Sequence, residues 1–416
     1  MAPQRNQALT FIFITILIDC TGIGVIAPIV PRLIEELTGG DISEASQYGG
    51  WLTFSYAIMQ FLFSPILGGL SDRFGRRPIL LISLFGLGMD YIFCSFAPTI
   101  AWLFVARFIA GICGASFTTA SAYIADVSPP EKRAQNFGLV GAAFGLGFIV
   151  GPVIGGIFSQ YGSRVPFMIA AGLSLLNFIY GYFILPESLA LEHRRPFDWK
   201  RANPIGSLAR LKRYPAIVGL VGSMVLLYIA AQAPQSIWTY YTIEKFHWNE
   251  AWVGYSLGFI GLTVAIVQGG VIRVAIPKLG QKKAVFTGLA CSTIGFVLFA
   301  FASQGWMMFA FMIPYSLGGL AGPAVQSLIS TQVPANEQGE LQGALTSLAS
   351  MTSIVGPLLM THLFAYFTKP EAPVYFPGAP FLTSAILTLV TVFLVARTLR
   401  ATPLVVPETE KSASGQ

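Results

Sequence analysis

Apolar residues along this chain fall into long unbroken blocks, separated by short polar segments. Twelve blocks occupy 8–31, 49–70, 78–97, 99–122, 135–157, 165–186, 214–237, 251–272, 284–303, 305–331, 339–362 and 378–397. A helix needs about 20 mostly apolar residues to cross a hydrocarbon core of roughly 30 Å, so each block predicts one span. The pattern therefore predicts an all-α membrane protein with twelve transmembrane helices and short loops. The first block is too long for a signal-peptide core. It carries Asp19 near its centre and continues through IAPIVP without a small-residue cleavage site, so it is read as the first span.

Composition agrees and narrows the class. Of 416 residues, 54% are hydrophobic and 11% charged, with mean hydropathy +0.67, against about 25% charge in a soluble protein. Cys20, Cys94, Cys113 and Cys291 all lie in apolar blocks at spacings that fit no disulfide framework or zinc set. Of the 25 Lys and Arg, 20 fall on the side that holds the N-terminus, four on the other, and Arg107 lies within a span. That split predicts both termini in the cytoplasm. It also assigns the basic pI of 9.1 to topology rather than to nucleic-acid binding.

The chain also repeats itself at one offset, 205 residues. Gly75-Arg76-Arg77 corresponds to Gly280-Gln281-Lys282, Pro129 to Pro334, and Ile-Val-Gly-Pro at 149–152 to the same four residues at 354–357. Duplication divides the sequence into an N-terminal six-helix bundle (1–186), a basic cytoplasmic linker (187–213), a C-terminal six-helix bundle (214–400) and a tail (401–416). Two such halves related by an axis along the membrane normal are a transporter plan, with binding between them near the midplane.

Three ionisable residues lie deep in the spans: Asp19, Asp90 and Arg107. At about 1.5 Å per residue, the two acids sit roughly 16 Å from the start of their spans and Arg107 roughly 12 Å from the start of its own. Each is costly against lipid without a partner, so the three point either to a static ion pair or to a group that gains and loses a proton. Gln60, Asn177, Gln232, Gln235, Gln268 and Gln326 are the uncharged amides of the spans. They are candidates for a cavity that mixes amides with aromatics and equally for interhelical hydrogen bonds. Gly147, Gly151, Gly155 and Gly156 around Pro152 follow small-xxx-small spacing, a signature of close helix packing. No nucleotide-binding, zinc-protease or nucleophile-elbow motif is present. Neither a metal site nor a cofactor nor an enzymatic role is expected.

These residues resemble a family. GGLSDRFGRRP, with Gly68, Asp72, Arg73, Gly75, Arg76 and Arg77, is similar to the cytoplasmic loop signature of the major facilitator superfamily. Arg107 with Gly111 and Gly114 resembles a second motif, and Gly147 to Gly156 the motif of its antiporters. LIDCTGIGVIAPIVPRL and GMDYIF look most like the bacterial tetracycline and multidrug proton antiporters. The resemblance implies a monomeric inner-membrane exporter of a bulky, partly apolar drug, driven by the proton gradient, with Asp19, Asp90 and Arg107 in coupling. A metabolite transporter (sugar or siderophore) shares that fold, and a non-transporting receptor is a third possibility. The resemblance further implies that Asp72 meets the N-terminal end of span eleven; from the residues themselves, Gly68 and Gly75 permit a tight turn, and Asp126 and Glu131 in the next inner loop are candidate partners for the arginines. Unlike the Gram-negative tetracycline exporters, spans eight and nine here hold no histidine or aspartate, so coupling should rest on the first half.

Overall fold

The computed structural model describes residues 2–114, 116–128, 133–194, 196, 218–330, 332 and 338–401. Among these there is no strand. Fifteen α-helices follow in order: α1 (Ala2–Ile26), α2 (Val30–Thr38), α3 (Ile42–Phe74), α4 (Arg76–Ser95), α5 (Ile100–Gly114), α6 (Ser116–Val127), α7 (Arg133–Phe158), α8 (Val165–Ile184), α9 (Val218–Phe246), α10 (Glu250–Ile266), α11 (Ile272–Phe301), α12 (Gly305–Leu317), α13 (Ala321–Ser330), α14 (Gln338–Thr368) and α15 (Ala379–Ala401). Glu131, most of 187–213 and residues 402–416 lie outside the described residues.

Among the described residues, eleven stretches are long and apolar enough to cross a membrane. One differs from the expected pattern: residues 250–301 run for 52 residues, about 78 Å if straight. They join α10 and α11 through a π-helical turn, Val267–Val271. The run is broken at Gly280, whose φ of 74° and ψ of 158° are non-helical. Gly75, 205 residues earlier, likewise has a positive φ, 105°. Gly68 does not take part in that turn; it lies inside α3, so the turn rests on Gly75.

The sequence pattern also missed α2, which follows the first span. Pro31 stands in its first turn, where the missing N–H costs nothing, and Gly39 ends it at φ 71°. Pro31, Leu33 and Ile34 are buried while Arg32 and Glu36 face outward, an amphipathic pattern too short to read as a span.

The helices pack as two groups that meet unequally. Two apolar cores stand apart, one built on Phe11, Ile12, Leu80, Tyr123 and Leu185, the other on Leu220, Val285, Leu328, Leu341 and Val395. Both lie at the end of the bundle where α1 begins and α15 finishes. At the opposite end a single core takes Ile29 and Leu33 together with Tyr241, Phe299, Phe364 and Phe381. Hydrogen bonds between early and late helices cluster there too. Arg32 donates to Glu250 (2.9 Å), Ser43 to the Ala365 carbonyl (3.0 Å), Ser46 to the Thr361 carbonyl (3.5 Å) and Thr239 to the Ala27 carbonyl (3.3 Å).

Candidate functional site

The buried charges sit on α1, α4 and α5. Asp90 is fully buried, and its carboxylate accepts a 2.6 Å bond from Arg107 Nη2. The same Nη2 also donates to Cys94 Sγ at 3.3 Å. Cys94, one turn beyond Asp90, turns its thiol toward the carboxylate at 3.9 Å. Asp19 is not part of this pair. Its Oδ1 is buried and has no hydrogen-bond partner. The trio expected from depth is thus divided: one acid is neutralised by the guanidinium and the other is not. Two phenols stand beside these helices: the Tyr91 hydroxyl lies 2.9 Å from where a Cβ on Gly22 of α1 would be, and the Tyr56 hydroxyl approaches Gly114 of α5, so the buried charges share the bundle with a cluster of polar groups.

Small residues let α5 come close to this cluster. A Cβ added to Gly111 would lie 2.7 Å from Met59 Cβ, and one on Gly114 would lie 2.6 Å from the Tyr56 hydroxyl. Gln60 Nε2 donates to that hydroxyl (3.2 Å) and to the Gly114 carbonyl (3.3 Å), tying α3 to α5. Other amides have similar work. Asn177 Oδ1 accepts from Thr15 (3.3 Å), linking α8 to α1, and Gln232 donates to Ser353 (3.3 Å), linking α9 to α14. Gln235 and Gln268 are exposed, the latter within the π turn, and Gln326 is half-buried.

The glycine run of α7 packs on two sides. Added Cβ atoms on Gly147 and Gly151 would meet the backbone of Thr21 and Gly24 at 2.5 to 3.1 Å, and Gly155 touches the Val25 backbone of α1. Gly156 faces the other way, with its Cβ position 3.0 Å from Ala251 Cα and 3.2 Å from Gly254 Cα on α10. Gly254 and Gly258 of α10 in turn press on Pro152 and Val153. The motif therefore wedges α7 between a helix of each group, and Pro152 is accommodated inside it.

The loop signature forms a network of its own. Arg76 pairs with Asp72 (2.5 Å) and Asp126 (3.2 Å) and donates to Ser71 (2.6 Å). Asp72 thus finds its partner within the loop; the side chains at the start of α14 lie outside the described residues. Sequence reasoning missed Glu187. Its carboxylate accepts from the backbone N–H of Arg76 (2.8 Å) and Arg77 (3.2 Å), capping the start of α4, where a negative charge suits the helix dipole. Arg77 donates to the carbonyls of Leu185 (2.8 Å) and Tyr182 (2.6 Å), while Arg73 lies over Phe74. The only signal for Glu187 was an acid immediately after an apolar block.

Also missed was the charge pair at the shared end. Arg32 is held by Glu36 (3.3 Å) and Glu250 (2.9 Å), and Ser163 donates to Glu36 (2.6 Å). The Glu250 side chain is only 15% exposed. Beside it, burial pushes the Glu35 carboxyl above its usual range, and Asp41 and Glu244 add to that shift. No group of three metal-ligating side chains occurs among the described residues.

Comparison with known proteins agrees with this architecture. The family model described as Major Facilitator Superfamily matches residues 12–279 and 273–415. A tetracycline resistance protein of class C from Escherichia coli is 41% identical over 362 residues, 87% of this chain and 91% of that protein. A class B protein from the same organism is 34% identical, covering 86% and 89%. Among solved structures, the human organic anion transporter MFSD10 (TETRAN) superposes with a TM-score of 0.68 at 22% identity, over 94% of this chain and 99% of that one. A bacterial homologue of the human lysosomal transporter Spinster, in an inward-facing and unoccupied conformation, gives 0.75 at 13% identity, over 96% and 98%. The chain belongs to the Major Facilitator Superfamily and is a multi-pass inner-membrane transporter rather than an enzyme.

Proposed function

We propose that this protein is a proton-coupled exporter of a tetracycline-class or similarly bulky, partly apolar drug, working by alternating access. With residues 250–301 taken as two crossings on either side of the break at Gly280, the chain crosses twelve times with both termini on one side, and the distribution of Lys and Arg favours the cytoplasm for that side. In that orientation the shared core lies outside and the two separate cores inside, so this conformation is closed to the exterior. The two six-helix halves then rock about the central cluster.

The observation that carries the reading is the contrast between the two buried acids. Asp90 is balanced by Arg107, whereas Asp19 has a buried oxygen with no partner. An uncompensated carboxylate is strongly disfavoured in an apolar bundle, so Asp19 holds a proton when dehydrated and releases it when cytoplasmic water reaches it. A drug entering from the inside takes its place, and the membrane potential contributes about 2.3 kcal/mol per charge per 100 mV. The Asp72–Arg76–Asp126 network stiffens the inner loop of the first half.

Inside-out vesicles with an acidified lumen test this. Tetracycline added outside should drain protons from the lumen, and Asp19→Asn should abolish that exchange while still accumulating in the membrane. Tetracycline that moves no protons would overturn the proposal.

A further inference from the structure

We infer that Thr15, Ser174 and Asn177 form a closed polar niche beside Asp19, on its α8 side, that binds water and hydrogen-bonds the carboxyl group. This rests on the reading of Asp19 as the proton carrier. It concerns α8, which that reading does not use.

Register places these groups together. Helices α1 and α8 run antiparallel, with Phe11 against Gly181 and Thr15 against Asn177. One turn further along, Asp19 follows Thr15 on the same face, and the antiparallel register brings the turn containing Ser174 opposite it. Ala170, Ser174, Asn177 and Gly181 share one stripe of α8, distinct from Leu175 and Phe178, which meet Gly88 and Phe85 of α4. The stripe carries no charge.

The niche is dry-walled, yet its polar groups are incompletely paired. Thr15 and Asn177 are 2% exposed and Ser174 0%. The one bond between them occupies Asn177 Oδ1, while Asn177 Nδ2, Ser174 Oγ and Asp19 Oδ1 have no partner. If the amide were turned over, its oxygen would be the orphan instead. Phe11, fully buried, closes the niche toward the cytoplasmic end. Buried polar groups in native proteins are satisfied by protein or by bound water, and a water held here would have up to four partners. The titratable groups that feel the Asp19 charge otherwise come from α3, α4 and its own helix: Tyr56, Tyr91 and Cys20. The niche is therefore a separate hydrogen-bond source, and Asn177 is a positioning residue that acts on Asp19 through water.

Infrared difference spectroscopy on the full-length protein in liposomes, with Asp19→Asn to identify the carboxyl band, tests this. Asn177→Leu, which keeps the number and branching of side-chain heavy atoms but removes both hydrogen-bonding groups, should move the Asp19 carbonyl stretch to higher frequency. It should also lower tetracycline–proton exchange about fivefold, the equivalent of one hydrogen bond to a neutral group. Asn177→Gln should recover part of both. Ser174→Ala should move the band the same way by less, and it carries the test if Asn177→Leu fails to accumulate. A lowered melting temperature with an unmoved band would overturn the niche and leave Asn177 a packing residue. If no protonated-carboxyl band disappears in Asp19→Asn, it is the proton-carrier reading that has failed.

Discussion

Replacing Gly156 by alanine tests the outer seal most directly. The added methyl would lie 2.5 Å from the Glu250 carbonyl oxygen, 3.0 Å from Ala251 Cα and 3.2 Å from Gly254 Cα. All three are backbone atoms of α10 and cannot rotate away. Carbon atoms rest at about 3.5–4.0 Å, so α7 and α10 must separate by roughly 0.5–1 Å at this level. Overpacking of that kind costs about 1–3 kcal/mol, a shift of about 5- to 150-fold in a two-state equilibrium. Because α7 and α10 belong to different halves, the cost falls on this conformation, which the proposed orientation makes the one closed to the outside. Thr239, which bonds the Ala27 carbonyl across the seal, is the reporter. With the four native cysteines replaced, a Thr239→Cys reporter should react with an impermeant maleimide at least fivefold faster in the Gly156→Ala background. Gly172→Ala, where no atom lies within 4 Å of the added Cβ, should leave the rate unchanged. Equal rates in Gly156→Ala and its parent would refute the argument that this contact closes the outer side.

Three further outcomes follow from the same contacts. Arg32→Glu should open the outer side by weakening its bond to Glu250, an effect of about 1 kcal/mol for a half-exposed pair; adding Glu250→Arg should restore the labelling rate, and failure of that rescue would mean the pair does not bridge the halves. Glu35 has a raised carboxyl in the folded protein, so the stability its proton confers is complete below the ordinary carboxylate range and is lost as pH rises through the raised value. Glu35→Gln should therefore melt higher than the parent near neutral pH and converge with it in acid, measured by thermal unfolding in detergent across pH. Arg107→Ala should strand Asp90 as a buried unpaired charge and destabilise the protein by about 3–5 kcal/mol. Arg107→Ala with Asp90→Asn should recover much of that loss in the same melting assay while remaining inactive in drug–proton exchange.

Hydropathy alone determined that this is a helical membrane protein, since the need to satisfy every backbone group in lipid acts on each span separately. The depth of Asp19, Asp90 and Arg107, the special character of Gly75 and the packing role of Gly147 to Gly156 were likewise legible, because each is set along a single helix or turn. What lay across helices was not. Nothing in the spacing said that Arg107 would take Asp90 rather than Asp19, because that choice depends on how α1, α4 and α5 are rotated about their axes. Nor did it say that Gly156 would face α10 while Gly155 faces α1, or which helices Asn177 and Gln232, legible as interhelical links, would join. Helix α2 was hidden by its shortness, and Arg32, Glu187 and Glu250 looked like ordinary loop charges. Their partners stand 218 residues apart in one case and 111 in the other, and only the packed bundle brings such groups within the few ångströms over which a hydrogen bond acts.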